Sequence, residues 1–196
     1  MQSNFDIDKR NILNKKDKSK KGSIDKPIVE IIDFLNSLKD YYTTSSCSGR
    51  ILILRIPPDG RKDHVDWLMT SHEVISSDRA EEFIALINKP EKKGEIWFKQ
   101  EPLIIHCVAR TLEKAQKLLD IAKLSGFKKS GIIASTRRFV VEIEGTDILS
   151  TIIGKNGKVL INEEYMKILI ETANKKLERN LKKKDKLFKM LKEKLA

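Results

Sequence analysis

Residues 41–50 read Tyr-Tyr-Thr-Thr-Ser-Ser-Cys-Ser-Gly-Arg and lead straight into the apolar stretch Ile51-Leu52-Ile53-Leu54. A strand that only has to pack gains nothing from so polar an approach. A site for a polar, partly anionic ligand does: Ser45, Ser46 and Ser48 offer hydroxyls, Gly49 lets the backbone come close, and Arg50 presents a guanidinium fork that matches a carboxylate or phosphate. Residues 40–49 break the helical period that precedes them, so they read as a polar loop at the mouth of a buried strand at 51–56.

Cys47 could serve as a nucleophile, but no His lies nearby in sequence to activate it, and a small thiol placed for fit or ligand contact is the better reading. Glu101 stands at the entrance of an apolar strand that carries His106, and His72 follows another short strand after Ser71. His106 alone reads as a satisfied core histidine; two imidazoles near strand ends point toward a cleft. The spacing of Cys47, His64, His72, His106 and Cys107 fits no metal-ligand pattern, and adjacent His106 and Cys107 point to opposite faces of a strand, so no metal site is expected. Neither a P-loop nor a dinucleotide-binding glycine loop occurs. Ile152-Ile153-Gly154-Lys155-Asn156-Gly157 matches the core of a KH loop, but the chain then ends in one long helix, so Asn156-Gly157 reads instead as a hairpin turn.

These residues must be positioned by helices expected at 5–13, from Asp25 as N-cap, at 76–88 with Ser77 or Asp78 as cap, at 111–124 and from Glu163 onward. Short strands are expected at 51–56, 67–69, 95–99, 103–108, 132–135, 139–143, 148–153 and 158–161. Without strict alternation of strand and helix, the class is α+β, with a mixed or antiparallel sheet and a long basic C-terminal helix. The 196 residues are expected to form a single domain with a basic segment at 8–26 and a basic helix at 163–196. Its apolar stripe is Leu177, Leu181, Phe188, Leu191 and Leu195. Net charge is +11, from 39 Lys and Arg against 28 Asp and Glu, which points to a polyanionic partner. The excess sits at the ends: residues 175–196 hold ten Lys and Arg against three acids. Two cysteines without an export signal read as free thiols of a cytoplasmic protein, and no apolar run approaches the ~20 residues of a membrane span.

Six segments occur in a recognisable order: 18–25 (KSKKGSID), 41–50 (YYTTSSCSGR), 67–73 (WLMTSHE), 97–102 (WFKQEP) with His106, 126–132 (GFKKSGI), and Tyr165 with 173–177 (ANKKL). Together they resemble the tRNA wybutosine-synthesising protein 3 family in its stand-alone archaeal form, over residues 5–180. Three positions depart from the family's habit: Asp66 before Trp67, Gln100 where Phe is common, and Cys107 where Val is usual.

The resemblance implies an S-adenosylmethionine-dependent methyltransferase that is not doubly wound. Its substrate would be the tricyclic 7-(3-amino-3-carboxypropyl)wyosine base at position 37 of phenylalanine tRNA, methylated at N4. On that reading Ser45, Ser46, Cys47, Ser48 and the amide of Gly49 contact cofactor or substrate. Arg50 pairs with a carboxylate of the methionyl moiety or of the substrate's side arm. His72 or His106 acts as base or orienter, Glu101 fixes an imidazole or a ribose, and Ser130-Gly131 adds a backbone wall. Lys20, Lys21, Lys182, Lys183 and Lys184 hold the anticodon stem-loop, with the monomer as the default state. The alternative is a non-catalytic RNA-binding module that uses its basic termini.

Overall fold

The computed structural model describes residues 4–14, 24–89 and 91–195. In chain order the elements are α1 (Asn4–Leu13), α2 (Val29–Ser37), β1 (Tyr41–Cys47), β2 (Arg50–Ile56), β3 (Asp66–Ser71), α3 (Ala80–Ile87), β4 (Glu95–Glu101), β5 (Ile104–Ala109), α4 (Leu112–Leu124), β6 (Gly131–Ala134), β7 (Phe139–Glu144), β8 (Leu149–Lys155), β9 (Lys158–Val159) and α5 (Glu163–Leu195). Every strand pairing among the described residues is antiparallel, which gives an α+β fold and excludes a doubly wound sheet. The elements group into two compact units, residues 1–48, 103–146 and 180–196 in the first and 49–102 with 147–179 in the second.

The first unit holds a four-stranded sheet in the order β1-β5-β7-β6. Alternation along β5 decides its two faces. Ile105, Cys107 and Ala109 enter a core with Ile31, Leu35, Leu118 and Leu187, whereas Ile104 and His106 lie on the opposite side. The thiol of Cys107 is fully buried there, and burial pushes it up to about 12. β1 corrects an expectation: residues 41–47 form a strand rather than a loop. Tyr and Thr favour a pleated surface, and β5 supplies partners for the backbone of this hydroxyl-rich segment.

The second unit holds a five-stranded sheet in the order β3-β2-β4-β8-β9. Ile51, Ile53 and Phe98 pack with Phe83 and Ile87 of α3 and with Met166, Ile170 and Leu177 of α5. Asn156 and Gly157 both take positive φ, +51° and +76°, and turn β8 into β9 as the hairpin reading requires. Gly154 has a packing reason to lack a side chain, because a Cβ there would sit 2.8 Å from Ile87 Cγ2.

α5 contributes Leu177 to the second core and Leu187 and Leu191 to the first, so its stripe packs rather than lying bare. Thr111 caps α4 as its type suggests, its hydroxyl accepting from the Lys114 N–H. Two other caps differ from expectation. Ser76, not Ser77 or Asp78, caps the turn before α3. Asp25 starts a short 3-10 turn without capping it by its side chain, because its carboxylate is engaged by Ser48 instead.

Candidate active site

β1 ends at Cys47, and the next residue is held from both sides. The Ser48 N–H donates to Asp25 Oδ2 at 2.9 Å, and the Ser48 carbonyl accepts from Asn180 Nδ2 at 2.8 Å. Asn180 Oδ1 in turn accepts from the Leu103 N–H at 2.9 Å. A single fully buried amide therefore fixes both the exit from β1 and the entry to β5. Ser48 is itself 1% exposed, so it serves this turn rather than presenting its hydroxyl at the surface. Asn180 was missed in the sequence, although it offers a signal: it occupies a helical stripe position three residues after Leu177.

On the face of the first sheet away from its core, one row crosses all four strands. Gly131 stands opposite Glu142, Glu142 opposite His106, and His106 opposite Ser45. His106 Nε2 lies 2.8 Å from Glu142 Oε2, and His106 Nδ1 lies 2.7 Å from Ser45 Oγ. The register of β1 shifts between Thr43 and Ser45, a bulge at Thr44 that sets Ser45 against His106. The structure thus brings together Ser45, His106 and Gly131, three residues singled out in the sequence, with Glu142, which was not. Ser130, next to Gly131, is buried, and its Oγ accepts from the Glu144 N–H.

In the second unit, Arg50 Nε donates to Glu101 Oε2 at 2.8 Å, and the guanidinium stacks over Trp67 at 4.8 Å from the ring centroid. Glu101 thus orients Arg50. His72 Nδ1 donates to the Gly49 carbonyl at 2.9 Å, which fixes the ring's orientation on its own unit. Gly49 has φ +94°, a conformation that L side chains rarely adopt, so the turn into Arg50 requires glycine.

Cys47 is partly exposed, forms no disulfide and is paired in register with Ile104. On α5, Lys182 is exposed, Lys183 Nζ reaches Thr146 Oγ1 at 3.4 Å, and Lys184 pairs with Asp185. Lys20 and Lys21 lie outside the described residues.

A match to the family described as Methyltransferase TYW3 spans residues 7–193. The chain belongs to the Methyltransferase TYW3 family. Curated TYW3-like relatives named tRNA(Phe) 7-((3-amino-3-carboxypropyl)-4-demethylwyosine(37)-N(4))-methyltransferase include one from Thermococcus sibiricus, 38% identical over 95% of this chain and 93% of its own. Another, numbered 2, from Pyrococcus furiosus is 41% identical over 82% of this chain and 76% of its own. Among solved structures, the PH1069 protein from Pyrococcus horikoshii superposes with a TM-score of 0.84 at 34% identity, covering 95% of each chain. A hypothetical protein from Aeropyrum pernix shares the TYW3 fold at 24% identity with a TM-score of 0.70, covering 86% of this chain and 98% of its own.

Proposed function

We propose that the chain is an S-adenosylmethionine-dependent tRNA methyltransferase that acts on N4 of 7-(3-amino-3-carboxypropyl)-4-demethylwyosine at position 37 of tRNA(Phe). The observation that carries this reading is the match to the Thermococcus sibiricus methyltransferase across nearly the full length of both chains. On this reading the enzyme works on its tRNA in the cytoplasm. Separately, no helix among the described residues is long and apolar enough to cross a membrane.

The Arg50 guanidinium fits one end of S-adenosylmethionine. The ligand carries a carboxylate, an ammonium, a sulfonium and ribose hydroxyls. Arg50, 30% exposed and aimed by Glu101, keeps two terminal nitrogens as a fork for a carboxylate. When bound, the cofactor supplies an electrophilic methyl group.

The protein's own task is to align the acceptor nitrogen, exclude competing nucleophiles and remove one proton, and such positioning is worth several kcal/mol. His72 and His106 are the imidazoles available for proton handling, each oriented by a partner on its own unit. Asp25 and Asn180 hold the turn at Ser48 within residues 41–50. Lys182 and Lys183 of α5, with Lys20 and Lys21, provide phosphate contacts to the anticodon stem-loop.

Calorimetry with S-adenosylmethionine tests the reading against the non-catalytic alternative. A methyltransferase shows one saturable site, and Arg50→Ala weakens it strongly in a protein that still folds. Binding of tRNA with no cofactor binding by the folded wild type would instead support an RNA-binding module.

A further inference from the structure

The row Ser45–His106–Glu142 has the connectivity of a hydroxyl, an imidazole and a carboxylate in series, and its members come from three different strands. The carboxylate of Glu142 can only accept, so His106 Nε2 carries the proton between them. That tautomer leaves the lone pair of Nδ1 facing the Ser45 hydroxyl, which then donates to it. The Ser45 oxygen keeps its own lone pairs for a proton arriving from outside.

Packing does not explain the arrangement. Ser45 is exposed, and the His106 and Glu142 side chains are 25% and 26% exposed, so these bonds add little to stability. A strand in plain register would place Thr44 alone opposite His106. The bulge at Thr44 instead carries Ser45 onto the histidine's face, at the cost of a ladder interruption. Gly131 ends the row beyond Glu142 with open space where a Cβ would stand.

We propose that Ser45, His106 and Glu142 form a proton relay, in which Glu142 positions His106 and Ser45 passes it the proton displaced from the nitrogen being methylated. This rests on the methyltransferase reading above. The N4 lone pair would form the new bond to the methyl carbon as that carbon's bond to its donor breaks, the bonding pair staying with the donor. The N4–H pair then stays on nitrogen while its proton moves to Ser45 Oγ. In the same step the Ser45 hydroxyl proton moves to His106 Nδ1, and the resulting imidazolium faces the Glu142 carboxylate. Charge and protons balance without a further reactant. Glu142 is a positioning residue, and Ser45 is the member that meets the substrate.

The test combines long-range 1H–15N NMR of the ¹⁵N-labelled protein with steady-state methyl transfer to tRNA(Phe). The chain has three histidines, so His64→Gln and His72→Gln variants assign the His106 ring. The wild type should show His106 as the Nε2–H tautomer at alkaline pH, and Glu142→Gln should convert it to a mixture. Glu142→Gln should also lower kcat by about 10²-fold or more while KM for donor and tRNA stays within about two-fold. Ser45→Ala should keep the Nε2–H tautomer yet lower kcat by at least about ten-fold. An Nδ1–H wild type, a Glu142→Gln variant with unchanged tautomer and kcat, or a fully active Ser45→Ala would each overturn the relay. Absence of methyl transfer by the wild type would overturn the relay together with the methyltransferase reading. A wild-type Nε2–H tautomer alongside normal transfer, with Ser45→Ala fully active, would overturn the relay alone.

Discussion

The side-chain amide of Asn180 donates to the carbonyl of Ser48 at 2.8 Å while its oxygen accepts from the Leu103 N–H at 2.9 Å. Both groups of the amide are used, and none of the three residues has water to fall back on. Asn180→Leu should therefore remove the side-chain partner of a buried carbonyl and of a buried N–H, and lower stability by about 2–5 kcal/mol. Asn180→Asp should do no better, since a carboxylate cannot donate to Ser48. Urea denaturation of the variants checks this, with wild-type stability in Asn180→Leu counting against it.

Arg50 is built as an aimed fork rather than a simple charge, with Nε on Glu101 and its plane over Trp67. Arg50→Lys keeps the charge but loses both features. It should weaken cofactor binding by at least about ten-fold, a loss of about 1.4 kcal/mol, with a melting temperature close to wild type. Glu101→Gln should give a smaller loss in the same direction. Calorimetry on the purified variants provides the measurement.

The two thiols should behave differently. Cys107 is fully buried and its thiol is pushed up to about 12, so it should resist a disulfide reagent at pH 8 until the protein unfolds. Cys47 is partly exposed and should react in the native state. A thiol count of one in buffer and two in denaturant is expected. Cys47→Ser should retain methyl transfer, because nothing in the reaction needs a thiolate.

Asp40 carries a pH-dependent share of stability. The hydrogen bond from Lys114, reinforced by Arg110, holds its carboxyl below the ordinary value of 3.8. A depressed folded value means stability that is present above 3.8 and is lost as pH falls through the lower folded value. Asp40→Asn should thus destabilise by about 1 kcal/mol at neutral pH, since the group is partly solvated. The gap to wild type should close in acid below 3.8. Denaturation series at pH 7 and pH 3 decide it; a gap that widened in acid would contradict the sign.

Binding to tRNA should fall with salt, and replacing Lys182 and Lys183 with Ala should flatten that dependence. Loss of two phosphate contacts should reduce the slope of log affinity against log salt by roughly 1.5. Ala preserves the helix, so α5 should keep its packing through Leu187 and Leu191. Filter binding at several salt concentrations measures the slope, and an unchanged slope would remove these lysines from the interface.

What was legible in the sequence follows from one-sided burial. Ile105 and Cys107 against His106 could be sorted because one face of β5 meets a core and the other does not. The hairpin at Asn156-Gly157 was legible because its backbone angles demand those residues. β1 was not, since hydroxyl-bearing residues suit a loop as well as a partly exposed strand. Glu142 could not be found from local pattern: it reaches His106 only because β7 lies beside β5, and strand order is a tertiary fact. The bulge at Thr44 likewise depends on the partner strand, and Asp25 hid behind its suitability as an N-cap.

The central claim is tested most directly by incubating the purified wild-type protein with tRNA(Phe) bearing the 4-demethyl base and S-adenosylmethionine labelled with deuterium in its methyl group. Nucleoside mass spectrometry should then show the labelled methyl group on the tricyclic base, with fragmentation placing it at N4. Label on another atom, or no label from a folded protein that binds the cofactor, would contradict the account.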